Sequence, residues 1–213
     1  MAVYKIFPDK DTFIFTEVAT GNAGYDEMLE IGGYPIQEIG QTSRTLIHFK
    51  DSEITDVLTN KVGANEWTAS IEMFIASAYE TPVSHSIECY PLSAYWDGGI
   101  GKYADDLNSG SADKSGVSWK FRNPQSTGAW NIQGQYAANT TGSDNSTYTG
   151  GGTWFTGSSG VNLESSQSFE TNDDVDIFMN VTNAVDMHYS GTLTNNGFIL
   201  KFHDDIEFNV SSS

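Results

Sequence analysis

The residues of this chain that could do chemistry are four histidines, one cysteine, several clustered aspartates and a set of loop aromatics. His48, His85, His188 and His203 stand at no spacing that would put two metal ligands on one element. Cys89 is the only cysteine, so no intrachain disulfide, redox pair or thiolate zinc cluster can form. A hydrolytic triad needs one distinguished serine, and no Gly-x-Ser-x-Gly elbow occurs. Paired carboxylates stand at Asp105-Asp106, Asp173-Asp174-Asp176 and Asp204-Asp205. A glycosidase would hold two carboxylates across a cleft at about 5–10 Å, whereas adjacent acids in loops are ordinarily solvated surface. Calcium does select hard oxygen ligands in flexible loops, so Asp173, Asp174 and Asp176 are the candidate ligands and calcium the one cofactor suggested. Aromatic rings on loops can stack on sugars; Tyr95, Trp96, Trp130, Tyr148 and Trp154 are the candidates, against the alternative that they pin long loops to a core. No catalytic residue emerges, and the chain is expected to be non-enzymatic.

The elements that would carry these residues read as strands. Residues 3–15 are strand-like with a break at Pro8-Asp9, and residues 27–32 and 43–49 follow, the second with Arg44, Leu46 and His48 alternating with Thr45, Ile47 and Phe49. Residues 67–76 and 83–90 read as neighbouring strands, and residues 174–181, 197–203 and 206–210 close the chain in the same pattern. One helix is predicted, over about residues 52–62, because Ile54, Val57, Leu58 and Val62 share a face; Asp51 or Ser52 would cap it and Gly63 end it. From Leu92 to Gly160 the chain is rich in Gly, Ser, Asn and Thr, punctuated by tryptophans, and reads as long loops packed by their own aromatics. Thr149 to Gly152 precede no helix and are turns, not a phosphate cradle.

The whole chain of 213 residues reads as a single all-β domain, an antiparallel sandwich with one short helix. Its formal net charge of -18 repels phosphate backbones and anionic headgroups, which argues against nucleic acid and membrane as partners. The opening Met1 to Lys5 leads at once to Pro8 and Asp9 with no apolar signal core, so folding in a cytoplasm is expected.

The order of landmarks resembles the DNRLRE-type β-sandwich domains, a jelly-roll relative of carbohydrate-binding modules. It is carried by Gly21-Asn22-Ala23-Gly24, Arg44 to Phe49, Ile87 to Leu92 leading to Trp96, and Asn195 to Phe202. Lys50-Asp51-Ser52 departs from that family's Asp-Leu-Ser, and the loops from Gly98 to Gly160 are longer than its own. The opening MAVYKIFPDKDTFIF, and the helix followed by Lys61 to Trp67 and Ile75-Ala76, are also similar to virion structural proteins of tailed phages that infect marine cyanobacteria. These resemblances imply a virion component in symmetric assembly with other virion proteins. The alternative they imply is a carbohydrate-binding module or adhesin for a host glycan.

Overall fold

The computed structural model describes residues 2–34, 41–78, 84–104, 113–124, 128–130, 150–158, 160–170 and 175–207. The described fold is dominated by antiparallel strands. The main sheet has the order β1 (Lys10–Phe15), β3 (Gln41–His48), β10 (Phe198–Phe202), β5 (Ser84–Pro91), β8 (Ser165–Glu170), with β2 (Gly32–Tyr34) also on β3. A second sheet pairs β4 (Ser70–Met73) with β9 (Ile177–Asn180), and β6 (Gly157–Ser158) and β7 (Val161–Asn162) form a small hairpin. Helix α1 (Asp51–Asp56) runs on as a π-helical stretch (Val57–Val62), α2 is Thr182–Tyr189 and α3 is Asp204–Glu207.

Alternation along β3, β5 and β10 assigns each side chain to one of two covered faces. Ile47, Ile87, Cys89, Leu200 and Phe202 turn to one face and pack under Ile71 of β4, Ile177 and Met179 of β9, and Ala184 of α2. Ile14, Leu46, Tyr90 and Ile199 turn to the other and pack under Leu92, Trp96, Val117, Trp119, Trp130 and Trp154. The loops after Leu92 thus form the second wall of the core, as the tryptophan spacing predicts.

Several expectations are corrected. β5 pairs with β10 and β8, while β4 pairs with β9, so residues 67–76 and 83–90 are not sheet neighbours. Residues 27–31 form no strand, and neither do residues 3–8, where Pro8 has no N–H to give a ladder. Lys50, not Asp51 or Ser52, occupies the N-cap of α1, without a side-chain cap; Asp51 instead accepts a hydrogen bond from Asn195 Nδ2 at 2.8 Å. Residues 204–207 are helical where a strand over 206–210 was expected; residues 208–210 lie outside the described residues, as does Val83. Helix α2 was not anticipated at all.

Candidate functional site

Beneath the tryptophan wall lies a cluster of buried charges built on the two central strands. Arg44 of β3 donates from Nε to Glu207 Oε1 at 2.9 Å, from Nη2 to Glu207 Oε2 at 2.6 Å and from Nη1 to the Gly151 carbonyl at 2.5 Å. Its guanidinium stands 4.8 Å from the ring centroid of Trp119 and 5.4 Å from that of Trp154. Lys201 lies opposite Glu88 in the β10–β5 register, and its Nζ reaches Glu88 Oε2 at 3.0 Å, Asp204 Oδ1 at 2.7 Å, Glu207 Oε2 at 3.9 Å and the Phe202 carbonyl at 2.7 Å. Arg44, Lys201 and Glu207 are at most 1% exposed as side chains, while Asp204 and His203 lead out to solvent. Buried ions are tolerated only when paired and hydrogen-bonded, and here every one is. The fork of Arg44 on Glu207 ties α3 to the middle of the sheet, so the cluster acts as a latch. Its carboxylates are held as ion partners and not aimed at an open cleft.

Close approach of the chain to this cluster demands glycine. Gly151 has φ +80°, and a Cβ there would lie 2.6 Å from Arg44 Nη1 and 2.8 Å from the Trp119 ring. Only a residue without a side chain can present its carbonyl to the guanidinium there.

The loop aromatics divide sharply. Trp96, Trp130 and Trp154 are buried. Trp96 Nε1 donates to the Asn196 carbonyl at 2.8 Å and Trp130 Nε1 to the Ser118 carbonyl at 3.1 Å. These three rings are part of the buried core on this side of the sheet. Tyr95 is 56% exposed, with Lys10 Nζ 4.3 Å from its ring centroid and its hydroxyl donating to Asp97 at 2.8 Å. Tyr148 lies outside the described residues. Asn22 completes the wall: Nδ2 donates to the Gly98 and Val117 carbonyls at 2.7 and 2.8 Å, and Oδ1 accepts from Gly101 N–H at 2.9 Å.

Of the calcium candidates, Asp173 and Asp174 lie outside the described residues, as do Asp105 and Asp106. Asp176 is exposed, and its Oδ1 accepts from the Ile75 N–H at 3.0 Å. No group of three potential ligands that could hold a metal occurs among the described residues. The histidines do not converge. His85 stacks on Phe169 at 5.1 Å, and His48 Nδ1 lies 2.5 Å from Asp9 Oδ1. His188 is buried on α2 beside Phe198 with no hydrogen-bond partner at either ring nitrogen, and burial holds its pKa down to about 4. Burial likewise pushes the Cys89 thiol up, far from reactive thiolate character.

The latch escaped the sequence reading, which assigned Asp204-Asp205 to solvated surface. Its one local signal is a cation in an otherwise apolar strand, Lys201 in FILKF. No family model, curated protein or solved structure matches the chain.

Proposed function

We propose that this chain is a non-enzymatic virion structural protein of a tailed phage, decorating or connecting parts of the head, neck or tail through protein contacts. The observation that carries this reading is the division of its side chains. Trp96, Trp119, Trp130, Trp154 and the charge latch are spent on the interior, while Val3 and Phe7 of the opening segment, Phe74 just after β4 and Phe178 of β9 are turned outward. Exposed apolar side chains that join into one patch mark contact surfaces. The opening segment is also part of the resemblance to phage virion proteins. We further infer a jelly-roll-like sandwich, supported by the antiparallel main sheet and the small sheet packed across one of its faces.

Quantitative mass spectrometry of gradient-purified particles tests the proposal, with a fixed copy number per particle as the expected result. Absence from particles, or release of reducing sugar from a host polysaccharide by the isolated chain, overturns it. Binding to a host glycan is the second reading, favoured by the exposed ring of Tyr95 alone; a glycan array on which Tyr95→Ala removes binding would support it.

A further inference from the structure

The opening segment and the outer edge of β4 are complementary, and neither pairs as a strand there with any described residue. Residues 2–8 belong to no helix or strand, and none of their backbone groups is hydrogen-bonded to any described residue; the first such bond is from Asp9 N–H to the His48 carbonyl at 3.0 Å. Val3 and Phe7 are each 77% exposed. An exposed ion pair, Lys5 Nζ to Glu72 Oε2 at 3.8 Å, joins this arm to β4. One such pair is far too weak to offset the backbone entropy of ordering the arm.

β4 is equally incomplete. The Val181 N–H donates to the Ala69 carbonyl at 2.9 Å, so the odd-numbered residues Ile71 and Met73 continue the ladder to β9, and the backbone groups of Ser70 and Glu72 point away from it. No strand lies on that side among the described residues. By contrast, the outer edge of β9 is satisfied by Gln167, whose Nε2 donates to the Asp176 carbonyl at 3.0 Å and whose Oε1 accepts from Phe178 N–H at 2.6 Å.

We propose that the arm of one copy adds as a strand to the free edge of β4 on a second copy, the exchange being reciprocal. In an extended chain Val3, Lys5 and Phe7 share one face, as Ser70 and Glu72 do on β4 and as Phe74 would with the strand continued past Met73. Placing Lys5 opposite Glu72 sets Phe7 beside Phe74 in a parallel pairing, or Val3 beside Phe74 in an antiparallel one. Either register covers Phe74, which is 83% exposed in the single molecule, and extends the cover toward Phe178 at 57%. The occupant is a second copy because the charge pair it needs already exists between these two segments, and exchange re-forms it between chains. Within one molecule the arm, anchored at Asp9, reaches β4 by a side chain only. Pro8 is the natural hinge, since it releases the arm from β1 without breaking a ladder bond.

This inference rests on the assembly reading and names its partner. Light scattering on the full chain should show a dimer, and Phe74→Asp, at an exposed site that leaves folding intact and that either register covers, should raise its dissociation constant at least tenfold. Lys5→Cys protein mixed with Glu72→Cys protein should form a disulfide-linked heterodimer in preference to either homodimer, since Cys89 is buried. A chain that stays monomeric up to about 1 mM, a dimer indifferent to Phe74→Asp, or no preference for the heterodimer overturns the inference. Absence from purified particles, by contrast, overturns the assembly reading and leaves a demonstrated dimer standing.

Discussion

Arg44 and Glu207 stand 163 residues apart in sequence and form the most completely buried ion pair described. Removing one partner strands the other charge in the core, so Arg44→Met should destabilise the protein by about 3–5 kcal/mol. The double variant Arg44→Met/Glu207→Met should recover most of that loss, because an apolar pair of similar volume needs no compensation. Urea denaturation of the three proteins is the measurement. His188 makes a separate prediction. Desolvation is the dominant cause of its lowered pKa, opposed by Asp51 and reinforced by His48, so the folded state binds its proton only near pH 4 while the unfolded chain binds it near 6.5. The stability it permits is complete above about pH 6.5 and declines as the pH falls toward 4, by about 3 kcal/mol in all. Melting temperatures between pH 7 and 4 should therefore fall more steeply for the native chain than for His188→Leu.

Among the elements, α1 and its π-helical continuation show why some of the fold was legible and some was not. The spacing of Ile54 and Leu58 announced the helix, and both are buried. Leu58→Asp should cost a few kcal/mol, read as a lowered denaturation midpoint; an unchanged midpoint would place that face in solvent. β3, β5 and β10 were legible for the same reason, a local period set by one chain segment. Their partners were not, because pairing is decided between segments far apart, and β4 goes to β9 although β5 is nearer in sequence. Helix α2 was hidden because the side chains it buries, Ala184 and His188, give little hydrophobic contrast. The strand-like Ile206-Glu207-Phe208 masked α3, where Glu207 is drawn inward by Arg44. The latch was illegible in the same sense: a cation in a strand reads as outward-facing until a distant carboxylate is known to meet it.

At the scale of the whole molecule, the charge of -18 opposes any contact between copies. If association rests on apolar arm and edge contacts, screening that repulsion should strengthen it despite weakening the single Lys5–Glu72 pair. Raising the ionic strength from about 0.01 to about 0.15 M shortens the Debye length from about 30 to about 8 Å. Sedimentation equilibrium should then show tighter dimerisation, and weaker dimerisation would mean that ion pairs dominate the contact. We propose that this chain acts by being built into a particle, with its arm and small sheet as the joining surfaces. A reconstruction of the purified virion is the decisive measurement. Symmetry-related copies in which residues 2–8 and the outer face of β4 and β9 are covered by neighbouring protein are the expected result; a virion without this chain, or copies that leave both surfaces in solvent, would overturn the proposal.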